Sequence, residues 1–264
     1  MFPFSFISGG AGGLSPEALA WEANIIANGG TIDPAILAIF DEYFFIPAVA
    51  NGNILTELDR LNIYCGLVGY EIAARTNLIK SAHYVTPVSS PTFDNNGYKS
   101  GGTSYLNLNF NQVTQGVKCL AANNNIGCIV DGVTYAAYTA VMGGSSGPNS
   151  CFIETRTNPL LGFFDNSNIV ANSSIIPTGR VLMAMKKTST IAGTVIVNTQ
   201  EDAAVWTNFS NVNLNQYELT YNSGGSPAGS YDLCYHLCSW HGSANLDYAA
   251  MRTILLSLFT ALGV

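Results

Sequence analysis

Between Gly66 and about Trp240 the apolar positions recur every second residue. Leu106, Leu108 and Phe110 alternate with Asn107 and Asn109, and Tyr217, Leu219 and Tyr221 alternate with Glu218 and Thr220. That spacing collects the apolar side chains on one face of an extended strand. Val181, Met183 and Met185 alternate with Leu182 and Ala184, which predicts a strand that is apolar on both faces. Clusters of Asp, Asn, Gly and Ser at 94–97, 123–125, 143–148, 165–168 and 223–227 punctuate the runs as turns. Many short strands with regular turns and no βαβ alternation predict a mainly β fold, an antiparallel two-sheet sandwich over residues 66–242.

On either side the period changes to that of a helix. Ser15 before Pro16 and Glu17 is a helix start, and the run Leu19, Ile25, Ile26 stops at Asn28-Gly29-Gly30. Asp33-Pro34 opens a second helix with the stripe Ile36, Leu37, Ile39, Phe40, Tyr43 and Phe44. Ile54, Leu55, Leu58 and Leu61 predict a third, short amphipathic helix. Leu246, Ala250, Ile254, Leu258 and Leu262 form an i, i+4 stripe for a terminal helix, with Asp247 in its first turn. The expected organisation is an arm with a Gly-rich link (1–13), a helical anchoring region (14–65), the sandwich (66–242) and a C-terminal helix (243–264) packed on the helical region.

In the arm, Phe2, Phe4 and Phe6 alternate ahead of the glycine-rich stretch 8–13. An extended arm of this kind either folds back on its own core or docks on a neighbouring subunit in a homo-oligomer, a trimer being one closed form. Only 10% of residues are charged and the net charge is −7, with no Lys/Arg cluster larger than Lys186-Lys187. Nucleic-acid binding, which needs a cationic footprint, is therefore not expected. No apolar run is long enough to span a membrane, and the N-terminus lacks the basic start of a secretory signal. A reducing compartment follows, with Cys65, Cys119, Cys128, Cys151, Cys234 and Cys238 as buried thiols. A hairpin about Asn123-Asn124 could set Cys119 opposite Cys128.

Candidate chemistry is sparse. Cys234, His236, Cys238 and His241 offer two thiols and two imidazoles for zinc, against the plainer reading of a buried last strand. Gly143-Gly144-Ser145-Ser146-Gly147 matches the hydrolase elbow, but Pro148-Asn149-Ser150 follows where a helix is needed, so a hairpin loop is expected. Glu201-Asp202 are adjacent and Glu154, Glu218 and Asp232 are isolated, so no acid/base pair of a glycosidase is evident. The oxygen-rich 94–96 and 165–168 stretches suit calcium or, equally, turns whose Asp and Asn side chains bond their own backbone. Tyr135, Tyr138, Trp206 and Tyr231 are candidates for glycan contact or for core filling. No cofactor is expected.

The layout resembles a group of proteins common in phages of Bacteroidetes-type hosts. The matching stretches are Ile32-Asp33-Pro34, Leu55 through Gly66 leading into Ala74-Arg75-Thr76-Asn77-Leu78, Gly101-Gly102-Thr103-Ser104-Tyr105-Leu106, and the terminal Leu262-Gly263-Val264. The resemblance implies a concanavalin A-like (laminin G-like, jelly-roll) sandwich and a virion location, as a head fibre, tail fibre, baseplate or decoration protein made in the host cytoplasm. It defines no catalytic or ligand-binding residue. The expected function is structural and non-enzymatic, acting by assembly with itself and other virion proteins. A receptor- or glycan-binding lectin-like domain of a fibre is the alternative, and a polysaccharide-degrading enzyme a weaker one.

Overall fold

The computed structural model describes residues 13–133, 139–146, 149–156, 160–165, 168–172, 179–189, 191–205, 211–228, 230–231 and 234–264. Phe2, Phe4 and Phe6 of the arm, and Tyr135, Tyr138, Trp206 and Asp232, lie outside them, as does the side chain of Tyr231. Among the described residues the chain begins with α1 (Pro16–Ala27), α2 (Pro34–Phe40), a π-helical turn (Asp41–Phe45), α3 (Ile46–Ala50) and a 3-10 turn (Ile54–Glu57). Then follow β1 (Leu58–Ile63), α4 (Glu71–Arg75), β2 (Thr86–Val88), β3 (Thr92–Asp94), β4 (Gly97–Lys99), β5 (Tyr105–Asn111) and β6 (Asn124–Asp131). Next come β7 (Thr139–Ser146), β8 (Asn149–Arg156), β9 (Leu160–Asp165), β10 (Asn168–Asn172), β11 (Val181–Lys187), β12 (Ala192–Val197) and β13 (Gln200–Val205). The chain closes with β14 (Asn215–Glu218), β15 (Tyr221–Ser223), β16 (Ser226–Ala228), β17 (Ser230–Tyr231), β18 (Tyr235–Gly242) and α5 (Tyr248–Ala261).

The strands form two sheets. One has the order β13-β12-β11-β6-β18-β4-β3, with β1 also paired to β18; the other runs β10-β9-β8-β7-β14-β5-β2, with β15, β16 and β17 beside it. Among the described residues, pairing is antiparallel except for two short parallel contacts of β7 with β15 and β17. The sheets face each other, as Phe110 of β5 against His241 of β18 shows (ring centroids 4.7 Å apart). This is the mainly β, two-sheet sandwich with helices at both ends that the alternating pattern predicts.

The helices make a third layer. In β5 burial alternates as expected, with Leu106, Leu108 and Phe110 inside and the asparagines on the half-exposed face. By contrast β1, β6, β11 and β18 are buried almost throughout, because the helical layer covers the other face of their sheet. Trp240 packs against Tyr248 of α5 at 6.3 Å between ring centroids, and Gly127 on the neighbouring strand makes room for it. A Cβ at Gly127 would fall 2.3 Å from the Trp240 ring. In turn α5 rests on the π-turn, α2 and α3, while Trp21 of α1 stacks on Phe40 at 4.6 Å. Ser15 caps α1 through Ala18 N–H and donates its own N–H and hydroxyl to Asp41, which joins α1 to the π-turn. Asp247 is the N-cap of α5, accepting from Ala250 N–H at 2.9 Å.

Two expectations need correction. The third amphipathic helix does not exist: only Ile54–Glu57 turns helically, and Leu58–Ile63 is a strand. Residues 14–65 are therefore not helical throughout. The i, i+3 spacing misleads here because Asp59, Arg60 and Asn62 are buried as fully as Leu61 and Ile63, so no polar face marks the strand. Nor do Cys119 and Cys128 face each other. The bridge Leu120↔Asn123 makes the turn so tight that Cys119 sits beside Asn125, with its Sγ 3.9 Å from that carbonyl oxygen, while Cys128 is further along β6. All six cysteines are buried.

Candidate functional site

Two polar assemblies stand out, one enclosed and one open. The enclosed assembly joins the sheets. Arg60 on β1 donates to the Tyr64 hydroxyl at 2.9 Å and the Ser239 hydroxyl at 2.5 Å. Tyr64 donates to Glu218 Oε2 at 2.5 Å, reaching across from one sheet to β14 of the other. His236 Nδ1 lies 3.9 Å from Glu218 Oε1, and Arg60 Nη1 lies 3.3 Å from His241 Nδ1. All six of these residues are polar and fully buried. Burial and the Glu218 charge push the Tyr64 phenol well up. Burial holds His241 well below the usual imidazole value, and the Arg60 guanidinium adds to this. With no exposed surface, the assembly serves as a polar tie within the sandwich.

The four zinc candidates are not brought together on the same strand. β18 carries a bulge between His236 and Cys238, which reverses the alternation. His236 and His241 therefore face the opposite sheet, while Cys238 shares the Trp240 face and lies by Cys65. Among the described residues no cluster of His, Cys, Asp or Glu is arranged to hold a metal. The serine motif is equally plain: Ser145 and Ser146 end β7, and β8 pairs back on them as Ser145↔Ser150 and Ser146↔Asn149, so no helix follows. Asp94 spends one oxygen on Asn96 N–H at 2.7 Å, as a turn would, and the other on the Tyr235 hydroxyl at 2.8 Å.

The open assembly lies where the chain crosses from one sheet to the other. β2 is the edge strand beside β5, and β3 is the edge strand of the opposite sheet. Pro87 and Pro91 bracket the crossing, and a proline contributes no N–H to a ladder, so both strands stay short. Ser89 and Ser90 make the turn with φ of 57° and 53°, left-handed values that cost a serine roughly 1–2 kcal/mol each. α4 lies across this edge and contributes Glu71 and Arg75, one turn apart. Together Glu71, Arg75, Pro87, Ser89, Ser90, Pro91 and Phe93 line a cleft of about 390 Å³.

Each charged group in the cleft is held at one point and otherwise open. Glu71 Oε1 accepts from the Tyr98 hydroxyl at 2.7 Å. Arg75 Nε donates to the Val85 carbonyl at 2.8 Å, and its guanidinium lies 4.4 Å over the Tyr84 ring. Burial, then the Glu71 contact, raises the Tyr98 phenol far above its usual value, so it stays a donor. Phe93 stacks at 4.7 Å on Tyr98 and presents a half-buried ring. The remaining Glu71 oxygen can accept, the terminal Arg75 nitrogens and the serine hydroxyls can donate, and Phe93 supplies an apolar platform. The sequence reading missed this site, whose separate parts carry no motif. The bracket Pro87…Pro91 around two serines was its one visible trace.

No family model matches the chain, and no curated protein sequence matches it. Solved structures do. Domain 4 of AbnA, a GH43 extracellular arabinanase from Geobacillus stearothermophilus solved with arabinotriose, is 15% identical, with a TM-score of 0.51 over 76% of this chain and 98% of that one. A Trypanosoma rangeli sialidase mutant with trans-sialidase activity is 10% identical, with a TM-score of 0.52 over 86% of this chain and 38% of that one. Botulinum neurotoxin type C, whose cell entry depends on two ganglioside molecules, is 9% identical, with a TM-score of 0.52 over 80% of this chain and 53% of that one. This chain thus spans less than two thirds of the sialidase and toxin chains, and what it shares with all three is a β-sandwich fold.

Proposed function

We propose that the chain is a carbohydrate-binding module that holds a neutral oligosaccharide in the edge cleft without cleaving it. The observation that carries this is the cleft chemistry. Glu71 and Arg75 offer an acceptor and donors one helical turn apart, next to the Ser89 and Ser90 hydroxyls and the Phe93 ring. Vicinal hydroxyls match a paired carboxylate and guanidinium, and the apolar face of a sugar ring matches Phe93. The fold likeness supports the reading, since the arabinanase domain is known with arabinotriose bound. An oligosaccharide array followed by calorimetry tests it. Glu71→Gln and Phe93→Ala should each weaken binding roughly tenfold, the cost of one good polar or stacking contact. Unchanged affinity in both variants overturns the assignment of the cleft, and reducing sugar released from a bound glycan overturns its non-catalytic character.

A second reading adds a location. The sequence resemblance points to a phage particle, and α1 and α3 expose Leu19, Ile26, Ile46 and Val49, an outward face suited to assembly with itself or with other virion proteins. On that reading the sandwich displays the cleft towards a host glycan. Mass spectrometry of purified particles tests it, and absence of the chain from them rejects it.

A further inference from the structure

A second hollow adjoins the edge cleft at Glu71, which lines both. It has a volume of about 280 Å³ and lies where the end of α1 meets the start of α4, with Gly30, Thr31, Gly69 and Tyr70 among its lining residues. The joint between the two helices is closely fixed. Gly30 lies so near α4 that a Cβ there would fall 2.5 Å from Cγ2 of Ile72. The Asn28 amide donates to the Thr76 hydroxyl at 3.2 Å, and that hydroxyl donates to the Ile72 carbonyl at 2.8 Å. Gly69, by contrast, faces open space: with φ of 86°, a Cβ on it would meet nothing within 4 Å. The hollow is therefore held in shape before anything binds, which spares a ligand the cost of ordering it. Tyr70 is half-buried, with its ring packed on the core and its hydroxyl bonded to no described residue. Thr31 is exposed and adds a second hydroxyl. Of the residues that line this hollow, Glu71 alone is charged.

We infer that the cleft and this hollow are two subsites of one groove, which takes consecutive residues of a neutral oligosaccharide, one ring on Phe93 and the next on Tyr70, with Glu71 at the junction. The inference rests on the glycan reading of the cleft and adds to it a chain length and a charge rule. The repeat of chemistry argues for it. Phe93 with the Ser89 and Ser90 hydroxyls on one side of Glu71 is matched by Tyr70 with the Thr31 hydroxyl on the other. A ligand that repeats an apolar face and a set of hydroxyls along its length fits such a pair. The charges argue for neutrality in the second position. Arg75 lines only the cleft, so a carboxylated ring in the hollow would meet Glu71 with no cation lining the same space.

The test uses the whole chain and calorimetry with the xylose, arabinose and glucose series, each from the monosaccharide to the tetrasaccharide. Galacturonate and digalacturonate serve as acidic probes. In a series that binds, the disaccharide should bind roughly tenfold more tightly than the monosaccharide, the worth of one further ring contact. Digalacturonate should bind no more tightly than galacturonate. Tyr70→Ala, and Thr31→Met, which fills the hollow from an exposed position, should each lower the disaccharide to the affinity of the monosaccharide. Phe93→Ala should weaken every length. Melting temperatures of the variants check that they are folded, and the Thr31 position keeps the test valid should Tyr70→Ala fail to fold. If the monosaccharide binds as tightly as the disaccharide, or if Thr31→Met keeps the preference for length, this inference fails and the glycan reading of the cleft stands. A digalacturonate bound tenfold more tightly than galacturonate also overturns it. If no member of any series binds, both readings fall.

Discussion

At the residue scale the most consequential side chains are those that break the rule of an apolar interior. Arg60 and Glu218 lie 3.9 Å apart with no exposed surface, and Tyr64 and Ser239 fill the hydrogen bonds between them. Removing one partner strands the other charge. Arg60→Met should therefore destabilise by about 3–5 kcal/mol, whereas replacing Arg60 and Glu218 together by apolar residues should cost much less. Urea unfolding of the single and double variants measures the difference. The same group makes stability acid-sensitive. Burial, and then the Arg60 charge, keep His241 neutral in the folded chain, while the unfolded chain takes up a proton near pH ~6.5. Below that value the unfolded state binds more protons, so stability falls as pH falls. Burial likewise depresses His83. For Glu218 burial acts upward, but His236 and Arg60 outweigh it and the net shift is downward. Its contribution is complete above the usual carboxylate range and disappears as pH falls through the lowered value. Urea midpoints at pH values on either side of ~6.5 should show the loss, and His241→Asn should flatten its upper part. A pH-independent midpoint in the parent would contradict this.

At the scale of elements, legibility follows how each element is covered. β5 reads correctly from sequence because one face meets the core and the other meets solvent. β11 reads correctly because both faces are apolar. β1 does not, since its polar residues are internal: Asp59 accepts N–H groups from Val117, Lys118 and Cys119, and Arg60 enters the inter-sheet tie. A polar strand of this kind can be recognised only with its partners in view. The placing of His236 and Cys238 on one face went wrong for a similar reason, because the bulge after His236 changes which side chains share a face. The edge cleft left no trace beyond its two prolines, since its charges come from α4 and its hydroxyls from a crossing between sheets. Two element-level outcomes follow. Gly127→Ala places a methyl against Trp240 and Ala184 and should cost about 1–3 kcal/mol. Asp247→Ala removes the cap of α5 and should cost roughly 1 kcal/mol. Thermal melts of both variants check the order of the two.

On the scale of the whole molecule, the three-layer arrangement means that the central strands of the helix-covered sheet have no free face. Deleting α5 would uncover Trp240 and its neighbours, and the truncated chain should bind a hydrophobic dye and aggregate. A soluble truncation with a sharp melting transition would count against that. The position of β18 has one more consequence, for the time course of folding. This strand pairs with β6 along one side and with β1 and β4 along the other, so it is central to its sheet. Yet the contact of Arg60 with Ser239 closes a span of 179 residues. During synthesis, β1, β4 and β6 leave the ribosome long before the strand that unites them, and their unpaired edges wait in the open. Such long-range closure is slow, and exposed edges invite pairing with the wrong chain. The nascent chain should therefore depend on chaperones far more than its finished stability suggests, and its yield should rise when translation is slowed or temperature lowered.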